Sequence, residues 1–124
     1  SGLYETQAWG VEDQQDFLNQ VITVDSDENP FIFLQKVLQI EIDLGRIRFE
    51  KWGERVIDID ILFIDQNIIE SDSLIVPHPQ VQNRNFTLTP LAELMPEFRH
   101  PILKKSITEL LDLCTDNLKA RLYS

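Results

Sequence analysis

Apolar residues recur along the chain with two spacings, and the switches between them mark the predicted elements. Leu3 to Trp9 is short and extended in character. FLNQVITV, from Phe17 to Val24, reads as a strand running into the turn DSDENP, where Asp and Asn favour turn geometry. Pro30 opens a helix on which Phe31, Leu34, Leu38 and Ile42 recur at helical spacing, and Gly45 closes it. Val56 to Ile64 predicts a buried strand, and QNIIESDSLIVPHP a loop with a short extended piece. FTLTPLAELMPEF runs from a strand into a helical turn. Ser106 caps a final helix, ITELLDLCTDNLKARL, with Glu109 placed for a capping box. The order β, β, α, β and a mixed tail predicts a small α+β domain over residues 1–124, with helices packed on one sheet.

Composition narrows the partners. With 124 residues, 43% of them hydrophobic, the chain can bury a sizeable core. Its 21 acidic against 11 basic residues give a net charge of -10. That balance argues against nucleic acid and against an anionic membrane surface, since both need surplus Lys and Arg. The single cysteine, Cys114, excludes an internal disulfide and a cysteine-based metal cluster, and fits a reducing, cytoplasmic setting. No apolar run reaches membrane-spanning length, and SGLYETQAWG does not read as a signal peptide.

The predicted strand KWGERVIDIDILFID carries two carboxylates where a purely structural strand would hold Val or Ile. Residues two apart on a strand share a face, so Asp58 and Asp60 lie opposite Ile57, Ile59 and Ile61. Their Cβ atoms fall roughly 6–7 Å apart. At an effective dielectric near ~20, two charges at that range repel by about 2–3 kcal/mol. A divalent cation between them turns the repulsion into binding, and carboxylate oxygens suit Mg²⁺. The bland alternative is a solvated polar face.

Arg46, Arg48, Lys51 and Arg55 form a local basic cluster just before the aspartates, in an otherwise acidic chain. Arg offers a planar fork to phosphate oxygens and Lys a compact charge. Carboxylates, a metal and clustered bases are the components of phosphoryl transfer, although a basic loop paired with surface acids has the same composition. Trp52 is a stacking ring or a small hydrophobic anchor. VPHPQVQNRNF adds His78, stiffened by Pro77 and Pro79, then Arg84 and Phe86. No glycine-rich phosphate loop, HExxH or serine–histidine–acid pattern is present. The residues alone therefore point to a metal-dependent site for a phosphate-bearing ligand.

RIRFEKWGERVIDIDILF, LIVPHP and NRNFTLTPLAELMPEF closely resemble the 6-hydroxymethyl-7,8-dihydropterin pyrophosphokinase family, whose signature reads approximately RWGPRxxDLDIL, then VPHP, then Arg-x-Phe. LYETQAWG and DQQDFLNQV resemble its substrate-binding segments, so the likeness runs from about Leu3 to Pro101. The resemblance implies transfer of the terminal pyrophosphoryl group of ATP to the pterin hydroxymethyl oxygen, releasing AMP. It implies two Mg²⁺ ions held by Asp58 and Asp60, with Arg46, Arg48, Lys51, Trp52, Arg55, His78 and Arg84 around ATP and the departing charge. Arg46 and Arg55 stand with the aspartates as catalytic positions. Phe17 and Phe86 would sandwich the pterin, Thr6 and Asn19 would supply polar contacts, and Glu41 matches an acidic position on a supporting helix.

The resemblance also implies a ferredoxin-like antiparallel sheet preceded by a strand, a Gly-Ser-Asn-like turn and a helix. Nothing in the chain corresponds to that first unit, which leaves an expected open edge and a route to self-association. Lys51 stands where the family usually has Arg, giving up a bidentate fork, and Glu54 where it usually has Pro. In the family this loop closes over ATP, and Gly45 and Gly53 are candidate flexible points. An expectation of a different class is a catalytically weak nucleotide- or pterin-binding or interaction domain on the same scaffold.

Overall fold

The computed structural model describes residues 1–6, 17–45 and 57–123. It is α+β, with a small antiparallel sheet and helices. The chain divides into two compact units, Ser1–Val24 with Pro79–Ser124 and Asp25–His78.

In the first unit, β1 (Tyr4–Thr6) pairs antiparallel with β2 (Phe17–Asn19), Tyr4 opposite Asn19 and Thr6 opposite Phe17. The strand expected over Phe17–Val24 is thus realised only in its first three residues. On its other side β1 pairs with Arg121–Leu122, the last strand of the chain, Glu5 opposite Arg121.

The segment expected to begin as a strand at Phe86 is helical from its first residue to Leu94, forming α2 (Asn85–Leu94). Leu88 and Leu91 lie on one side of it and are buried, and Pro90 is buried with them. Packing against β1 and the next helix outweighs the β-branched character of FTLT and the hydrogen bond that Pro90 cannot donate.

That next helix, α3 (Ile107–Leu113), starts where expected. Ser106 Oγ accepts from the Glu109 N–H at 3.1 Å, and Glu109 accepts from the Ser106 N–H at 2.9 Å. It stops at Leu113 instead of running on to Leu122. Beyond it, Asp116 accepts from the Asn85 and Leu118 N–H groups, and Arg121–Leu122 becomes β5 beside β1. These partners lie far away in sequence and override the local helical preference. Val81, Leu88, Leu91, Ile107 and Leu110 form the buried apolar centre of this unit.

The second unit is built on α1 (Pro30–Gly45). Asn29 Oδ1 accepts from the Phe31 N–H at 2.8 Å and Pro30 has no N–H to satisfy, so two positions of the first turn are provided for locally. Of Phe31, Leu34, Leu38 and Ile42, the residues expected to recur on one face, Leu34 is half-buried and the other three are more than 40% exposed. The inward stripe is instead Phe33, Leu34, Val37 and Glu41, rotated by about one residue. Apolar residues stand nearly all round this helix, so spacing alone supports more than one face. A hairpin follows, β3 (Ile69–Glu70) with β4 (Ile75–Val76), where only a loop with an extended piece was expected. Ser71 Oγ closes its turn by donating to the Leu74 carbonyl and accepting from the Leu74 N–H, both at 3.0 Å. Leu74 and Val76 are buried.

Residues 57–64 join no ladder, so the strand expected over Val56–Ile64 is not formed within the described residues. Their recorded main-chain bonds run to a side chain, a turn and the His78 amide instead of to a neighbouring strand. Residues 7–9 and Val56 lie outside the described residues.

Candidate functional site

In the second unit, Asp58 and Asp60 are exposed while Ile59 and Ile61 between and beyond them are half-buried, the alternation of an extended chain. Without a ladder, something else has to hold this stretch. Glu41 Oε2 on α1 accepts from the Ile59 N–H at 2.6 Å, so the amide between the two aspartates is anchored to a helix by a charged acceptor. Further along, the His78 N–H donates to the Leu62 carbonyl at 2.9 Å. The backbone contact brings the His78 ring alongside, with Nε2 3.9 Å from Asp60 Oδ2. That separation exceeds a hydrogen bond and gives an ion pair when the ring is protonated. Asp60 keeps 54% of its side chain exposed, so its carboxylate oxygens remain open to a ligand.

Among the described residues no group of three or more His, Cys, Asp or Glu gathers as a metal cage. The donors present still fit Mg²⁺, which takes one or two carboxylates and completes its shell with water and substrate phosphates. Two exposed carboxylates on an anchored extended stretch are such a donor set. Arg46, Arg48, Lys51, Trp52 and Arg55, with Gly53 and Glu54, lie outside the described residues.

In the first unit, the strand register sorts the other candidates. Cross-strand partners share a face, and so do residues two apart. Thr6, Phe17 and Asn19 therefore lie on one face of the sheet, with Tyr4. Phe17 is 53% exposed, whereas Thr6 is buried at 3% and its hydroxyl has no hydrogen-bond partner among the described residues. A buried hydroxyl without a partner is costly, and a polar ligand atom offsets that cost. Just before α2, Arg84 holds its guanidinium carbon 5.4 Å from the centre of the Phe86 ring, within cation–π range. Both side chains are half-buried.

Sequence reasoning missed several polar groups of this unit. Tyr4 donates from its hydroxyl to Glu93 Oε1 at 2.8 Å, and the Gly2 N–H donates to the same carboxylate. The Tyr4 bond and the Gly2 amide hold the Glu93 carboxyl below its usual range, while the carboxylate raises the Tyr4 phenol. Asn85 is buried at 4% and bonded to the loop after α3. Nothing in the local sequence signals bonds spanning thirty or more residues.

The sequence model of the 7,8-dihydro-6-hydroxymethylpterin-pyrophosphokinase (HPPK) family matches residues 1–96. The 2-amino-4-hydroxy-6-hydroxymethyldihydropteridine pyrophosphokinase of Bacillus subtilis is 47% identical over 94 residues, which make up 76% of this chain and 56% of that protein. The Haemophilus influenzae protein of the same name is 34% identical over 122 residues, 98% of this chain and 76% of that one. The folic acid synthesis protein fol1 of Pneumocystis carinii is 38% identical over 117 residues, 94% of this chain and 16% of its own length. The chain thus spans a little over half the length of the Bacillus relative. A family match over more than half of the chain, with relatives aligned across most of it, establishes that this protein belongs to the 7,8-dihydro-6-hydroxymethylpterin-pyrophosphokinase family.

Proposed function

We propose that the protein transfers the terminal pyrophosphoryl group of ATP to the hydroxymethyl oxygen of 6-hydroxymethyl-7,8-dihydropterin, releasing AMP, as a cytoplasmic step in folate synthesis. Residues 1–124 act in this reading as one pyrophosphokinase domain on a ferredoxin-like sheet. The observation that carries it is the family match over residues 1–96. The anchoring of Ile59 by Glu41 supports it, because catalysis of phosphoryl transfer is mostly positioning and charge stabilisation.

Asp58 and Asp60 would hold two Mg²⁺ ions against the triphosphate. Bound there, Mg²⁺ supplies charge neutralisation and a lowered pKa for the attacking hydroxyl. Glu41 keeps the peptide between the aspartates fixed, so both carboxylates start from one anchored base. His78 stands at the Asp60 carboxylate, where a protonated ring adds positive charge for phosphate oxygens. Arg46, Arg48, Lys51, Arg55 and Arg84 neutralise charge on the bridging and leaving oxygens, with Trp52 as a flat contact for ATP. Phe17 and Phe86 stack on the pterin, Asn19 reads its donor–acceptor edge, and the Thr6 hydroxyl finds in it a polar partner.

The test is AMP formation from Mg-ATP and 6-hydroxymethyl-7,8-dihydropterin, beside an Asp60→Asn variant of matched stability. AMP that requires both substrates and collapses in the variant is the expected result. Turnover indifferent to Asp60→Asn would overturn the assignment of the metal pair.

A further inference from the structure

Arg84 and Phe86 flank a residue tied down more heavily than either of them. Asn85 is buried at 4% and makes three hydrogen bonds to the loop that follows α3. Its N–H donates to Asp116 Oδ2 at 3.0 Å. Its side-chain amide donates to the carbonyls of Asp116 at 3.0 Å and Leu118 at 2.9 Å. Asp116 Oδ1 in turn accepts from the Leu118 N–H at 2.9 Å, so the loop is shaped by the same carboxylate that holds the helix.

The placement matters because of what α2 lacks. Its N-cap is Arg84, in an extended conformation, and no side chain caps the helix locally. An anion at a helix N-terminus satisfies an orphan N–H and complements the helix dipole. Asp116, 31 residues further on, does what a local Ser or Asp does elsewhere. It thereby fixes where the extended chain at Arg84 ends and where the first helical turn, carrying Phe86, begins.

From this network we infer that Asp116 and Asn85 are positioning residues that set Phe86 for the pterin and Arg84 for the ATP phosphates. The inference rests on the proposed assignment of Phe86 to the pterin and of Arg84 to ATP, and it adds two residues that touch neither. A carboxylate accepting from a main-chain N–H is worth more than a neutral acceptor, so removing it loosens Arg84 and Phe86 together.

The test compares Asp116→Ala and Asp116→Asn in the intact protein. The pterin KM and the ATP KM are measured separately, alongside thermal unfolding and the ¹⁹F signal of a 4-fluorophenylalanine placed at position 86. Asp116→Ala is expected to raise the pterin KM by about tenfold, as loss of one charge-assisted hydrogen bond does. The ATP KM should rise as well, because Arg84 is loosened along with Phe86, and the ¹⁹F line should shift or broaden. Asp116→Asn keeps an acceptor and should recover most of these effects. An Asp116→Ala protein that is merely less stable, with an unmoved ¹⁹F line and an unchanged pterin KM, overturns the inference. If the wild-type protein forms no AMP, the proposed function fails. The ¹⁹F line then decides the lock by itself: a shift in Asp116→Ala upholds it, and an unmoved line sinks it.

Discussion

A carboxylate on the inward stripe of a helix is usually costly, and Glu41 shows what offsets it, a short bond to the Ile59 amide. Replacing Glu41 by Ala should therefore leave that amide unpartnered and cost about 1–3 kcal/mol of stability, read from urea unfolding. The same variant should raise the Mg²⁺ concentration needed for half-maximal AMP formation, with Glu41→Gln falling between it and wild type. An unaltered Mg²⁺ dependence in Glu41→Ala would separate the bond from the aspartates. Asp58 and Asp60 were legible in the sequence because charge stands out against isoleucine. Glu41 was legible only as a matching acidic position, since its partner is a backbone N–H and any residue type supplies one. Asn85 and Asp116 gave no sign, being ordinary surface residue types until the fold brings them together.

Among the elements, those closed by local rules were read well. The capping box at Ser106 and Glu109 needs only neighbours within one turn, and it forms as the spacing predicts. Ser106→Ala should lower stability by about 1 kcal/mol in chemical denaturation. Leu88 is fully buried on α2, the helix that packs on β1 and α3, and truncating it to Ala should cost about 2–5 kcal/mol in the same assay. The elements read poorly were those decided by distant partners. α3 ends early because its continuation bonds to Asn85 and pairs with β1. The Phe86 segment turns helical because both faces of α2 find partners. Residues 58–61 alternate as in a strand but have no neighbour to pair with, and alternation reports faces, not partners.

For the molecule as a whole, the α+β class and the family were both readable, the first from periodicity and the second from the WGERVIDIDIL run. Acid sensitivity was not, because it depends on burial. His100 is buried, with Nδ1 accepting from the Ile102 and Leu103 N–H groups at 3.1 Å, and burial pushes its pKa below the usual value. A depressed histidine binds its proton in the unfolded chain first. Its contribution is thus complete above a pH of about 6.5 and is lost as pH falls below that. Glu93 and Glu109 are also depressed, by the Tyr4 hydroxyl and the Ser106 amide respectively. Their contributions should fade in a second stage, below about pH 4.3. Urea midpoints measured across pH should show both stages, and His100→Gln should flatten the first alone. The sheet of the first unit carries a different kind of consequence, one of timing. Tyr4 pairs with Leu122, more than a hundred residues later, and Asn85 waits for Asp116. At ~5–20 residues per second, a ribosome that has just released Tyr4 needs on the order of ten seconds to deliver its partner. Until then β1 lacks one neighbour and α2 its remote cap, so this unit reaches its final form only after the intervening chain, including the entire second unit, has been made.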